Sequence, residues 1–291
     1  MTSDAIARIR RFNRIVTAEV GALDTSFLGR GRPLGSARVL NAIGHGQSDV
    51  TAIRERLNLD SGLMSRLLRA LEEEGLIETV PHPEDARRRV ARLTPAGAAE
   101  FAAYEDLSNT QAGGFLDRHA RPDELLAAMD LVASALGRHR IALEEMDPRD
   151  PVARACLEAY YAELAVRFEG GFDVKLSRDP DAADMIRPRG AFLVALSEEL
   201  AVGCVGVKGQ GGAVAEVKRL WVSPAARGIG LAHKLMAGAE EAARSLGVEV
   251  LRLDTNKALP EAQKLYRSTG WTEIPRFNDD PYPDTFFEKR L

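Results

Sequence analysis

Near residue 140 the apolar pattern of the chain changes period, so no single layer of secondary structure can bury both halves. From Ile6 to about Leu143 the apolar residues recur at helical spacing, with few β-branched clusters. Beyond that point, Ala191 to Ser197, Leu200 to Val207 and Val214 to Val222 form short apolar runs separated by turn formers at Glu198-Glu199 and Lys208 to Gly212. A chain of 291 residues with 45% hydrophobic side chains has material for two cores. The expected architecture is multidomain: an all-α unit over 1–138 and an α+β unit over 139–291.

The longest uncharged apolar stretches, Gly190 to Ser197 and Leu200 to Val207, fall far short of the roughly 20 residues a membrane helix needs. No membrane partner is expected. Residues Met1 to Arg8 acquire charge before any apolar core forms, which argues against a secretory signal and for a cytoplasmic protein. The two cysteines, Cys156 and Cys204, are expected as small buried hydrophobes, and the five histidines show no metal-ligand spacing, so no metal is expected. The formal net charge is −4. Any nucleic-acid site must therefore be a local patch, and every cation before residue 147 is an arginine, which suits planar recognition of phosphate or guanine.

In the first half, Ser48 is placed to cap a short helix through Leu57. Asn58-Leu59 makes a tight turn, and Asp60 caps a second helix through about Glu73. Leu63, Met64, Leu67, Leu68 and Leu71 form the apolar face of that second helix and leave Ser61, Gly62, Ser65, Arg66 and Arg69 toward solvent. Small residues let the backbone approach a duplex, and arginine reaches a guanine edge or a phosphate. A solvated amphipathic helix would look much the same. The following Leu76 to Val80 and Arg89 to Leu93 read as a hairpin, and its Arg87-Arg88-Arg89 could follow phosphates or enter a minor groove.

Asp85, Arg87, Val90, Leu93 and Thr94, followed by Pro95-Ala96-Gly97, resemble the wing of the MarR family of winged helix-turn-helix regulators. Ser65-Arg66 and Leu71 to Ile77 resemble that family's recognition helix and its exit. The resemblance covers about residues 3–137. It implies a homodimer whose terminal helices, here Ile6 to Leu23 and Pro95 to Leu136 with breaks near Gly113-Gly114 and Arg121-Pro122, interlock over a pseudopalindromic operator of double-stranded DNA. Glu72, Glu73 and Glu74 depart from what a phosphate-facing surface needs and are expected to point away from it.

In the second half, a strand ending at Val222 runs through Ser223-Pro224-Ala225-Ala226 into Arg227-Gly228-Ile229-Gly230-Leu231-Ala232 and then a helix. Small residues at such a turn expose backbone N–H groups at a helix N-terminus, where aligned dipoles favour a diphosphate. A glycine-lined turn with no ligand is the plain alternative. Arg227 to Ala232 match R/Q-x-x-G-x-G/A, the acyl-CoA pyrophosphate motif of the GNAT N-acetyltransferases. Glu216 to Pro224, Asp254-Thr255-Asn256 and Glu261 to Trp271 extend that resemblance over about residues 140–291.

The resemblance implies acetyl-CoA as cofactor. Its pyrophosphate would rest on the amides of Arg227, Gly228, Ile229, Gly230, Leu231 and Ala232, its pantetheine on the main chain at Leu220 and Val222, and Asn256 would lie near the thioester. Tyr266 would be the general acid for the leaving thiolate. Glu216 is the candidate base for the amine, by direct transfer, although strand alternation could turn it outward. The expected function is thus a bifunctional transcriptional regulator and N-acetyltransferase acting on a small-molecule amine. The alternative is a DNA-binding regulator whose second half senses an acyl-CoA or an amine without turnover.

Overall fold

Helical spacing in the first half becomes a helical unit with one hairpin in the computed structural model, which describes residues 3–176, 182–209 and 211–291. Chain contacts divide it into two compact units, 1–120 and 121–291. Gln210, within the expected turn at 208–212, lies outside the described residues.

In the first unit, α1 (Ser3–Glu19), α2 (Leu34–Gly44), α3 (Val50–Arg56) and α4 (Ser61–Glu73) precede the antiparallel hairpin β1 (Ile77–His82) and β2 (Asp85–Leu93), and α5 (Pro95–Asp117) follows. Val39, Leu40, Ile53 and Leu71 are completely buried and tie α2, α3 and α4 together. The α3 cap is Asp49 rather than the expected Ser48. Asp49 Oδ1 accepts from the Ala52 amide at 2.8 Å, while the Ser48 carbonyl accepts from the Ala91 amide at 2.8 Å and joins the hairpin. Asp60 caps α4 as expected, accepting from the Leu63 amide at 2.8 Å, and Asn58 takes the left-handed conformation at the turn (φ 52°). Gly97 is required where α5 starts: a Cβ there would lie 1.8 Å from the Leu76 carbonyl oxygen. Helix α5 runs unbroken through Gly113 and Gly114, contrary to the expected break. Glycine costs a helix interior only about 1 kcal/mol, which a 23-residue helix absorbs.

In the second unit, α6 (Pro122–Gly137) leads to β3 (Ala142–Glu145), α7 (Pro151–Arg167), β4 (Ala191–Ser197), β5 (Leu200–Gly209), β6 (Val214–Val222), α8 (Leu231–Ser245), β7 (Val250–Thr255), α9 (Pro260–Ser268), β8 (Thr272–Ile274) and β9 (Thr285–Arg290). The seven strands run in the order β3-β4-β5-β6-β7-β9-β8. All neighbours are antiparallel except β6 and β7, which are parallel across the α8 crossover. Leu235, Leu251, Leu253 and Phe287 fill one core, while Cys156, Met185, Phe192 and Cys204 belong to a second. The cysteines are thus buried packing residues. The division at 120/121 departs from the boundary expected at 138/139: α6 packs on the Pro224–Ala226 turn of the second unit, and its Ser134 is buried. No helix among the described residues is long and apolar enough to cross a membrane.

Two irregularities of β6 position the site. Pairing of β6 with β7 ends at Val217 and Leu253, although the strands continue to Val222 and Thr255, so the two diverge beyond that point. On the other side, Gly206 pairs with Lys218 and Cys204 with Trp221, so Val205 faces both Arg219 and Leu220. This is a β-bulge, and Arg219 takes the left-handed conformation there (φ 57°). Cys204 Sγ donates to the Arg219 carbonyl at 3.4 Å and stitches the bulge to β5.

Candidate functional site

The divergence of β6 from β7 opens a cleft of about 540 Å³, within the range of small-molecule sites. Leu220, Trp221 and Val222 line one side, the glycine turn another, and α7 and α9 the rest. Gly228 and Gly230 both have positive φ (77° and 85°), and a Cβ at either would meet nothing within 4 Å. Glycine is therefore set here by backbone conformation, which leaves the turn open to a ligand. Gly230 is the N-cap of α8 and brings no capping side chain, so among the described residues the first amides of that helix have no side-chain cap, and Leu231 and Ala232 line the cleft. Arg227, Gly228, Gly230, Leu231 and Ala232 line the cleft, whereas Ile229 packs against the core.

Arg227 is held in place twice: its Nε donates to the Val222 carbonyl at 3.1 Å and its Nη2 to Glu163 at 2.6 Å. Glu163 also accepts from Trp221 Nε1 at 2.9 Å and from Arg167 at 3.1 Å, and Arg167 is bonded in turn to Glu261. Burial alone would raise the Glu163 pKa, but the bonds from Trp221, Arg167 and Arg227 outweigh it and hold the carboxyl below its ordinary range. The alternating series Arg227, Glu163, Arg167, Glu261 thus links the glycine turn to α7 and α9 along the cleft.

A second, smaller cavity of about 120 Å³ adjoins this cleft, and Tyr160, Leu164, Leu220, Leu259 and Ala262 line both. Tyr266, Glu216 and Asn256 line the smaller one. Burial, then the charge of Asp254, raises the Tyr266 phenol well above its ordinary pKa, so it stays protonated. Tyr160 is raised too, by burial and then by Tyr266 and Asp254. Glu216 faces inward and forms an ion pair with Lys218 at 3.2 Å; Lys218 Nζ also lies 2.5 Å from Asp254, which accepts from Asn278 at 2.6 Å. Burial alone would discharge Lys218, yet Asp254 and Glu216 together raise its pKa and keep it cationic. Asn256 is committed to the protein: its Nδ2 donates to the Tyr282 carbonyl at 2.7 Å and its Oδ1 accepts from the Ala258 amide at 2.8 Å. It orders the loop over the cavity. Of the acids at 277–284, only Asp280 lines the cavity, while Asp284 accepts from the Lys257 amide and from Thr285.

Sequence reasoning missed Tyr160, Glu163 and Arg167. They stand at i, i+3 and i+7 and so share one face of α7, a periodicity that was there to be read.

In the first unit, α4 exposes Ser61, Gly62, Ser65, Arg66 and Arg69 as expected, and buries Met64, Leu67, Leu68 and Leu71. Arg87, Arg88 and Arg89 are all exposed on β2. The side chains of two of them have partners among the described residues: Arg88 Nε donates to Asp49 at 3.0 Å, and Arg89 lies 3.6 Å from Glu72 and bonds Thr79. Glu72 therefore points at the hairpin, and Glu74 pairs with Arg32. Both acids are turned to neighbouring cations.

Residues 157–271 match the acetyltransferase (GNAT) family and residues 30–88 match the MarR family. The chain is 33% identical over 126 residues to an uncharacterized N-acetyltransferase of Schizosaccharomyces pombe, covering 41% of this chain and 77% of that protein. It is 35% identical over 117 residues to an IAA acetyltransferase of Azospirillum brasilense, covering 38% and 74%. Among solved structures it is similar to the PcaV transcriptional regulator of Streptomyces coelicolor in complex with its natural ligand, at 23% identity and a TM-score of 0.40, over 47% of this chain and 96% of that one.

Proposed function

The chain belongs to the GNAT acetyltransferase family through its second unit and carries a MarR-family winged helix in its first, and on that premise we propose that it is a homodimeric DNA-binding regulator that also transfers an acetyl group from acetyl-CoA to a small-molecule amine. The observation that carries the enzymatic part is the divergence of β6 from β7, which leads from the glycine turn to the cavity holding Tyr266. The residues present fit the cofactor: amides with no side-chain cap at the α8 N-terminus for a diphosphate, backbone at Leu220 and Val222 released from β7 for an amide-bearing arm, and a cleft long enough to reach the second cavity. When bound, acetyl-CoA supplies a thioester carbonyl open to attack.

The chain's own groups do the rest. The acceptor enters beside Glu216 and Asp254 and gives up a proton on attack, and Glu216, directly or through water, is the proposed base. As the new C–N bond forms and the C–S bond breaks, the Tyr266 hydroxyl gives its proton to the departing thiolate. Tyr160, Leu164 and Leu220 line the junction of the two cavities. Incubation with acetyl-CoA and a cell extract, followed by mass spectrometry of products and assay of free thiol, tests the reading. Thiol release with an acetylated amine is expected, and its absence with every extract would refute catalysis.

DNA binding by the exposed face of α4 and by the hairpin is supported by Arg66, Arg69 and Arg87, which are all exposed. Replacing Arg87, Arg88 and Arg89 together with alanine is expected to weaken operator binding and to flatten its dependence on log salt by about 0.9 for each phosphate the variant no longer neutralises. An unchanged slope in a salt titration would count against the wing. Homodimerisation is supported by α1, whose Ile6, Ile9, Phe12 and Val16 recur at helical spacing and are exposed. The double variant Ile9→Asp and Phe12→Asp is expected to sediment as a monomer; a dimer of wild-type affinity would place the interface elsewhere.

A non-catalytic sensor is the second reading, favoured by one contact. Helix α6 follows the first unit in sequence and packs on Pro224–Ala226, immediately before the glycine turn. Coupling requires that acetyl-CoA affinity differ between the DNA-bound and free protein. Gel-shift titrations with and without the cofactor measure this, and thiol release separates the sensor from the enzyme.

A further inference from the structure

The cavity beside Tyr266 has chemistry that acyl transfer alone does not use. Part of its lining is aromatic: Phe172 lies with its ring centroid 4.8–6.1 Å from those of Tyr161, Phe168 and Tyr282, and Phe168 lies 5.9 Å from Tyr282. The Tyr282 hydroxyl is already committed, accepting from the Asp173 amide at 2.8 Å and donating to the Asp173 carbonyl at 3.2 Å. What Tyr282 offers a ligand is its ring. A cluster of this kind favours a planar apolar body packed against ring faces or edges.

Another part of the lining is cationic. The side chain of Lys208 is only 8% exposed, yet its ammonium makes no hydrogen bond among the described residues. Its nearest carboxylate, Asp184, is 3.8 Å away and lies closer to Arg189, at 3.0 Å. Its only ion pair among the described residues is thus long and shared, and an anion hydrogen-bonded to the ammonium would offset the cost of burying it. The Arg219 guanidinium, turned inward by the bulge and lying 5.7 Å from the centre of the Tyr161 ring, adds a second positive charge to the cavity.

The charges along the cavity also balance. Lys208, Lys218 and Arg219 face Glu216, Asp254 and Asp280. Lys218 is taken up by Glu216 and Asp254, so Lys208 remains the cation best placed for a ligand. A molecule with one positive and one negative group preserves this balance, whereas a simple cationic amine adds an uncompensated positive charge. In the register Lys208 pairs with Glu216, some way along β6 from Leu220 at the cofactor junction. An anion on Lys208 therefore lies next to Glu216, the proposed base for the amine, and away from the cofactor junction.

We propose that the acceptor is an aromatic amino acid in the broad sense, an arene carrying both an amine and a carboxylate, with its ring against Phe168, Phe172 and Tyr282 and its carboxylate on Lys208. The proposal rests on the acyltransfer reading only for which nitrogen reacts.

Calorimetry on the full chain saturated with coenzyme A tests it with two matched pairs: L-phenylalanine against phenethylamine, and 4-(aminomethyl)benzoate against benzylamine. In at least one pair the acid is expected to bind about tenfold or more tightly than its decarboxylated partner, the scale of a charge-assisted hydrogen bond. Lys208→Met is expected to shrink that margin to about twofold, and Lys208→Arg to keep most of it. The inference is overturned if neither acid is preferred, if no probe binds, or if the margin survives Lys208→Met. Preferential binding of an acid without thiol release would instead remove the acyltransfer reading and leave this one standing.

Discussion

Gly230→Glu is expected to weaken acetyl-CoA binding by about 100-fold or more, because three penalties coincide at one atom. The residue has φ 85° at the N-cap of α8, a conformation that costs a side chain about 1–2 kcal/mol. The new side chain occupies the open space beside the amides that a diphosphate would use. It also sets a negative charge against the bound anion. Gly230→Ala separates these contributions. Space around the position is open, so alanine brings only the backbone strain and is expected to lower affinity by about tenfold or less. Titration calorimetry on both variants, with melting curves to show that each folds, measures the difference. Wild-type affinity in the Glu variant would mean that the diphosphate lies elsewhere.

The parts of this site legible in the sequence are those where a local rule leaves a local mark. The glycine turn is visible because only glycine takes φ near 80° without strain, so the need for that backbone is written at Gly228 and Gly230 themselves. The exposed face of α4 is visible because Met64, Leu67, Leu68 and Leu71 mark its opposite at a period near 3.6. What stayed hidden depends on partners distant in the chain. The engagement of Arg88 by Asp49, and of Arg89 by Glu72, requires the hairpin to fold back on α3 and α4. Glu163 reads as one more charge on a helix until Trp221 and Arg227 arrive from β6 and the turn. The bulge at Arg219 has no glycine or proline to announce it, and strand alternation alone gives no reason to expect both Lys218 and Arg219 in one cavity. Edge strand β3 was missed for a different reason. Its four residues are mostly exposed, so Ala142–Glu145 shows no apolar alternation, and pairing with β4 decides its conformation.

Tyr266→Phe is expected to lower kcat by about 100-fold while leaving acetyl-CoA affinity within about twofold, the signature of a group that acts on the departing thiolate and contributes little to ground-state binding. The substitution removes one oxygen and keeps the ring against Trp271 and Phe287, so the fold has no reason to shift. The pH dependence sharpens the test. Burial, then the negative charge of Asp254, raises the phenol's pKa. The proton-bearing form, which is the form a general acid needs, is thus kept on the alkaline side of the ordinary tyrosine range. Titration of Tyr266 should therefore cause no loss of wild-type activity up to about pH 10. The Phe variant should lose the same factor at every pH below that. If solvent protonates the thiolate instead, the variant will turn over within about twofold of wild type, and Tyr266 will be only a packing residue between α9 and the sheet.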